Sequence, residues 1–291
     1  MFQLKIDHCS RNEADDLSDL LEEMGALSVT LTDLHDSPIL EPEIGTTPLW
    51  ADVVIQALYA DEEDGRQVLS SLAITHPQLS VRLEHVLEKD WERVCMADFQ
   101  PMRFGKRLWI CPSWITPPEP DAVNLTLDPG LAFGTGTHPT TSLCLTWLDQ
   151  ADLNNKRLID YGCGSGILAL AALKLGVSHV LAVDLDAQAL TATRNNAEIN
   201  HFTEQDLTVL FPNELHEPVE LIIANILLLP LLQLQSEFRR LLKPGGLLVV
   251  SGILDSQVDQ LITAYQRDFS HQETFTQEEW CLVVFAVDTD F

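Results

Sequence analysis

The residues best suited to chemistry stand together in Asp160-Tyr161-Gly162-Cys163-Gly164-Ser165-Gly166. Three glycines alternating over five positions let the backbone bend through positive φ and let a ligand approach it closely. Leu158-Ile159 leads into this stretch and an apolar helical pattern, Ile167 to Leu175, leads out, which predicts strand, turn and helix in that order. Gly164 to Ala169 fits a loose dinucleotide fingerprint with alanine in the last place, a weak signal by itself. The other ligand such a turn could hold is S-adenosylmethionine, which carries a cationic sulfonium and an amino group and lacks a pyrophosphate. A carboxylate at the turn, Asp160, suits those cations and would repel a pyrophosphate. Asp160, Gly162, Gly164 and Gly166 are therefore the first candidate cofactor residues.

Two strand tips supply the next candidates. His179 to Val183 reads as a strand ending in Asp184-Leu185-Asp186, with Asp184 18 residues beyond Gly166. A carboxylate at the tip of the second strand is where α/β nucleoside sites hold a ribose diol. Asp186 reads as the N-cap of the following helix, Ala187 to Asn200. Val219 to Ala224 is almost wholly apolar, as in a strand buried in a parallel sheet, and runs into Asn225-Ile226-Leu227. Residues 128–141 form a glycine- and threonine-rich loop that lacks the lysine of a phosphate-binding P-loop and leads into a helix pattern from Ser142. A connection of that length in a compact domain is commonly functional. Its His138 either accepts a proton or simply orders the loop.

These candidates need elements to hold them. From residue 123 onward strands alternate with helices and the chain closes on a strand, Trp280 to Val287, after a non-helical stretch. That order predicts a doubly wound α/β domain over 123–291, with Leu207 to Phe211 and Leu247 to Ser251 as further strands and Asp255 to Arg267 as a helix. Residues 1–88 read differently. Strands at 2–7, 27–32, 50–59 and 79–87 alternate with two helices in the order β-α-β-β-α-β, a ferredoxin-like α+β domain. Its first helix opens on the capping box Ser10 to Glu13 and stops at Gly25. Residues 89–122 read as a partly helical linker with a short strand, Arg107 to Cys111, and a proline-rich boundary.

Composition narrows the function classes. The net charge is −27, and residues 1–90 carry 5 Lys and Arg against 19 Asp and Glu, net −14. Phosphate contacts need a basic face, so direct nucleic-acid binding is not expected; the acidity either draws a basic protein partner through complementary fields or only keeps the chain soluble. Six cysteines, at 9, 95, 111, 144, 163 and 281, form no C-x-x-C pair and read as reduced thiols of a cytoplasmic protein. The nine histidines lack metal-ligand spacing, so no metal is expected. No run approaches a membrane span and the first residues have no basic signal-peptide region. A nicotinamide dehydrogenase, the rival from another enzyme class, would need a pyrophosphate site and a hydride-handling residue, and neither is evident.

Taken together, residues 128–141, Asp160 to Gly166, Asp184 and Asn225-Ile226-Leu227 closely resemble the ribosomal protein L-eleven methyltransferases, the PrmA family, along essentially the whole chain. The loop at 128–141 is the most specific part, since the glycine turn alone would indicate only the wider methyltransferase class. The resemblance implies a Rossmann-like methyltransferase domain with a seven-stranded sheet, preceded by the ferredoxin-like domain as the module that recognises the ribosomal protein. It implies S-adenosylmethionine as cofactor, and lysine side-chain and N-terminal amines of the large-subunit ribosomal protein L-eleven as methyl acceptors, in a cytoplasmic monomer. Position by position it makes Thr141, Gly162, Asp184 and Asn225 cofactor contacts, with Asn225 beside the methyl group and the catalytic residue. One departure is visible: relatives often carry a second tryptophan where this chain has Cys95.

Overall fold

The computed structural model describes all residues except 36, 38, 40–45, 87–98, 129–133, 135 and 289–291. Asp90-Trp91-Glu92-Arg93, Cys95 and the start of the glycine-rich loop therefore lie outside the described residues. The chain divides into two compact units, Met1–Trp91 and Glu92–Phe291.

The first unit contains β1 (Phe2–Ser10), α1 (Arg11–Glu23), β2 (Ser28–Asp33), β3 (Asp52–Tyr59), α2 (Glu62–Thr75) and β4 (Val81–His85). Its sheet has the order β2-β3-β1-β4 and every pairing is antiparallel, the arrangement of a ferredoxin-like split motif. Alternation decides which face is buried: Leu4 and Ile6 of β1 lie opposite Ala57 and Ile55 of β3, and all four join the core with Leu17, Leu21, Val68 and Leu72 of the helices. The start of α1 is fixed by the backbone N–H of Ser10, which donates to Glu13 Oε2 at 3.1 Å. Asp61 caps α2 by accepting from the backbone N–H of Asp64 at 3.0 Å.

The second unit begins with a small sheet of β5 (Met102–Phe104), β6 (Leu108–Cys111) and β7 (Val123–Thr126) in the order β5-β6-β7. There follow α3 (Pro139–Gln150), β8 (Arg157–Tyr161), α4 (Ile167–Lys174), β9 (His179–Val183), α5 (Ala187–Ile199), β10 (Leu207–Leu210), β11 (Val219–Asn225), α6 (Leu228–Leu241), β12 (Leu242–Leu254), α7 (Val258–Tyr265), β13 (Ser270–Gln277) and β14 (Trp280–Ala286). These strands build a seven-stranded sheet in the order β10-β9-β8-β11-β12-β14-β13, parallel from β10 to β12 and antiparallel for the last two. One apolar layer, with Leu145, Leu170 and Leu190, covers one face of the sheet; a second, with Leu231, Phe238 and Leu261, covers the other.

The strand order reverses between β8 and β11, and a crevice at such a reversal is where open α/β sheets bind ligands. The carboxyl ends of β8, β9 and β11 carry the glycine turn, Asp184 and Asn225.

Several elements differ from the sequence reading. The strand expected at 107–111 is found as β6, but it pairs with β5, formed by residues expected to be linker, and their Phe104, Leu108 and Ile110 belong to the apolar core beside α3 and α4. Asp149, 4% exposed near the end of α3, accepts the backbone N–H groups of Lys106 at 2.6 Å and Arg107 at 3.2 Å, which ties the β5–β6 turn down. The helix expected at 255–267 divides into a 3-10 turn, Asp255–Gln257, and α7. The polar stretch before Trp280 is the edge strand β13, and β12 begins at Leu242 rather than Leu247. Among the described residues no helix is long and apolar enough to cross a membrane, and no group of side chains has the geometry to hold a metal ion.

Candidate functional site

The site is built outward from β8. That strand is paired on both sides, so its residues are buried, and Asp160 is buried with them at 0% exposure. Its Oδ2 accepts the backbone N–H of Ala169 at 2.9 Å, in the first turn of α4. Its Oδ1 is buried and has no hydrogen-bond partner among the described residues. Burial raises the carboxyl pKa to about 7; the Ala169 N–H opposes that rise and the negative charge of Asp184 adds to it.

The turn is held by its neighbours. The N–H groups of Gly162 and Cys163 both donate to the Val183 carbonyl, at 2.7 and 2.9 Å. The Gly164 N–H donates to Asp184 Oδ2 at 3.0 Å, while Asp184 Oδ1 accepts from the Asp186 N–H at 3.0 Å. Each carboxylate oxygen has lone pairs beyond the one used, so Asp184 can still accept from a diol. Two glycines are required by space as well as by φ. A Cβ on Gly162 (φ +81°) would lie 2.5 Å from Ile226 Cγ2, and one on Gly166 (φ +80°) 2.8 Å from Thr193 Cγ2.

Thr141 lies in the first turn of α3 and is 1% exposed. Asn225 Nδ2 donates to Thr141 Oγ1 at 3.3 Å, so these two residues meet although they stand 84 apart in sequence. Their neighbour Ile226 is the residue that would meet a Gly162 side chain, which links the Asn225 segment to the glycine turn. All seven expected residues, Asp160, Gly162, Gly164, Gly166, Asp184, Thr141 and Asn225, thus converge at the carboxyl ends of β8, β9 and β11. His138 is the N-cap of α3: its Nδ1 accepts from the Thr140 N–H at 3.3 Å and its ring lies edge-on to Trp280 with centroids 4.9 Å apart. Burial lowers its pKa, which favours the neutral ring.

Two contributors are not evident from sequence. Ser165 Oγ donates to the Gly134 carbonyl at 2.6 Å, pinning the glycine-rich loop onto the glycine turn, and the Ser165 carbonyl accepts from Asn196 Nδ2 at 2.8 Å. Gly252 lets β12 pass under the Asn225 segment, since a Cβ there would stand 2.5 Å from the Ile226 carbonyl oxygen. The only local signal for Gly252 is a glycine interrupting an apolar strand.

This constellation fits S-adenosylmethionine. It offers a positive-φ backbone cradle, a half-buried carboxylate beside it and a buried, unpaired carboxyl oxygen at its base. From Leu158 to Asp186 the one Lys or Arg is Lys174, so a pyrophosphate would have backbone N–H groups but no other side-chain cation to meet, and would lie against the carboxyl of Asp160.

Comparison with known proteins gives the family. The sequence profile of the Ribosomal protein L11 methyltransferase (PrmA) family matches residues 1–287. A Ribosomal protein L11 methyltransferase of Legionella pneumophila (strain Corby) is 59% identical over 285 residues, 98% of this chain and 99% of the relative. One from Escherichia coli (strain 55989 / EAEC) is 49% identical over 287 residues, 97% of each chain. Among solved structures, the ribosomal protein L11 methylase from Lactobacillus delbrueckii subsp. bulgaricus superimposes with a TM-score of 0.60 at 30% identity, covering 65% of this chain and all of that one. Carrying this fold, this site and these relatives, the chain belongs to the ribosomal protein L11 methyltransferase family and is a methyltransferase.

Proposed function

We infer that this chain transfers methyl groups from S-adenosylmethionine to amine nitrogens of ribosomal protein L11, both lysine side chains and the N-terminal amine. The observation that carries the reading is the meeting of Asn225 with Thr141 beside the glycine turn. When bound, the cofactor supplies an electrophilic methyl carbon on a sulfonium. The glycine turn and Asp184 would hold it, with Asp160 beneath.

The chain's own task is to present an amine lone pair in line with that carbon. Lysine has a reference pKa of about 10.4, so the amine must shed a proton before it can attack. Apolar surroundings favour its neutral form. Thr141 occupies the Nδ2 end of the Asn225 amide, which leaves Oδ1 to accept an N–H and orient the nitrogen. An amide is no base, so Asn225 positions the amine and does not deprotonate it.

Residues 1–88 supply recognition of the ribosomal protein in this reading, residues 89–122 join the domains, and residues 123–291 carry the chemistry. Their acidic composition complements a basic protein and disfavours nucleic acid. The enzyme works as a cytoplasmic monomer without a membrane partner. The test is mass spectrometry of large-subunit ribosomal proteins incubated with the chain and isotopically labelled cofactor. Label on lysine and N-terminal amines of L11 is expected. Label only on another protein or on a small amine would move the assignment to that acceptor.

A further inference from the structure

Helix α3 carries Thr141 to Asn225, and its start is unusual. The N-cap is His138, whose Nδ1 accepts the Thr140 N–H at 3.3 Å and lies 2.8 Å from Thr140 Oγ1. Pro139, at the first helical position, has no N–H to satisfy, and the Ser142 N–H donates to the His138 carbonyl at 3.0 Å. Ser, Thr, Asp and Asn are the favoured caps. The histidine ring does their work and also reaches another strand.

That second contact closes a circuit. The ring lies edge-on to Trp280, the first residue of β14, with centroids 4.9 Å apart. The next residue, Cys281, accepts from Ser251 Oγ on its carbonyl at 2.8 Å. Ser251 of β12 stands in register with Asn225 of β11. Asn225 Nδ2 donates to Thr141 Oγ1, and Thr141 shares the first turn of α3 with His138. Burial pushes the Cys281 thiol up, so the member of this circuit that can change charge near neutral pH is His138.

Charge on the ring would undo the cap. With the hydrogen of the neutral ring on Nε2, Nδ1 is an acceptor. Once protonated, Nδ1 can still meet Thr140 Oγ1 as a donor, but it no longer accepts the Thr140 N–H. The cation would also stand at the positive end of the helix dipole. Burial likewise favours the neutral form, while Glu278, in the turn between β13 and β14, favours the cation. The first turn of α3 holds no acidic residue to pair with a charged ring, and Trp280 is uncharged.

We propose that His138 is a positioning residue for methyl transfer: as a neutral cap it holds the first turn of α3, and with it Thr141, where the Asn225 amide is fixed, and its protonation releases that pair. The inference rests on the amine-methylating function inferred above. It gives the reaction an acid limb separate from the ionisation of the acceptor amine. In this role His138 takes no proton from the substrate.

The test uses the full chain and purified ribosomal protein L11, with single-turnover rates at saturating cofactor from pH 5 to 8. The control is His138→Asn, which keeps a cap acceptor and cannot titrate. Ionisation of the acceptor amine is common to both chains and cancels in their ratio. The parent-to-variant ratio should be level at the alkaline end. It should fall up to tenfold per pH unit below the His138 pKa, which burial lowers from the ordinary 6.5. Glu278→Gln should move that break to lower pH, because a charge favouring the cation is gone. His138→Ala should be about fivefold slower than His138→Asn at the alkaline end, the usual worth of a cap. In the cofactor-free chain, the NMR signal of the Asn225 side-chain amide should shift as His138 titrates, and stay still in His138→Asn. A level ratio at every pH, equal rates for the asparagine and alanine variants, or an Asn225 signal that ignores His138 overturns this role. A parent chain that methylates no amine of L11 removes the function instead, and the Asn225 signal still decides whether His138 controls the pair.

Discussion

Asn225 Nδ2 donates to Thr141 Oγ1 across 3.3 Å, joining the end of β11 to the first turn of α3. The bond fixes which end of the amide is spent and leaves Oδ1 as the end proposed to meet an acceptor amine. Asn225→Ala should lower turnover about tenfold or more, the scale of one lost hydrogen bond in the reacting state, with a much smaller change in cofactor Kd. Thr141→Val should reproduce part of that loss by leaving Nδ2 without its acceptor. Single-turnover rates at saturating cofactor check both; a rate restored by saturation would assign Asn225 to cofactor binding alone.

Asp184 accepts from the Gly164 and Asp186 N–H groups and retains capacity for a diol. Asp184→Ala is expected to weaken S-adenosylmethionine binding by about 1–3 kcal/mol, the range of a charge-assisted hydrogen bond. Calorimetric titration of the folded variant measures it. Unchanged affinity would remove Asp184 from the binding set.

Gly162 is constrained by φ and by the side chain of Ile226. Gly162→Ala should reduce unfolding free energy by about 1–3 kcal/mol through backbone strain. Adding Ile226→Ala should recover only the steric share, since φ stays positive. Urea unfolding of the four chains gives the coupling directly. Strict additivity would contradict the contact.

Burial raises the Asp160 pKa to about 7, against about 3.9 in the unfolded chain. Between those values the folded state holds the proton more tightly, so the contribution is full below about pH 4 and is lost as pH rises through about 7. Stability from this group should therefore decline across that window and level off above it. Asp160→Asn should remove the decline. Thermal melts of both chains from pH 4 to 8 test the sign; parallel profiles would place the titration elsewhere.

Much of this site was legible because its signals are local. Three alternating glycines, a carboxylate at one strand tip and an amide at another need only strand order to be brought together. The capping box at Ser10 and the cap at Asp186 are likewise readable from spacing. Long-range partnerships were not. Asp149 looks like an ordinary helix residue until the β5–β6 turn folds onto it, and Ser165 gives no sign that Gly134 will be its acceptor. Strand β13 is an exposed edge, so its sequence SHQETFTQ needs no apolar alternation and shows none. Where β12 begins was obscured by Lys243-Pro244-Gly245-Gly246, which reads as a turn although its neighbours pair with β11 on both sides of a register shift.

Truncation separates the second unit, proposed to carry the chemistry, from the residues before it. Phe104 packs in the core of the second unit, and Asp149 holds the backbone of Lys106 and Arg107. A fragment starting at Glu92 keeps all of this and should bind S-adenosylmethionine like the full chain. A fragment starting at Arg107 loses β5, uncovers apolar core and removes one partner of a buried carboxylate, so it should melt markedly lower. The Glu92 fragment should nevertheless lose most methylation of intact ribosomal protein L11. Binding energy far from the reacting atoms aligns the amine, and the first 90 residues hold net charge −14 for a basic partner. Added salt should slow association of the full chain with L11, because the screening length, about 8 Å at physiological ionic strength, shrinks further. Rates for both chains on intact L11, at low and high salt, decide the matter: a Glu92 fragment as active as the full chain would leave the first unit without a recognition role.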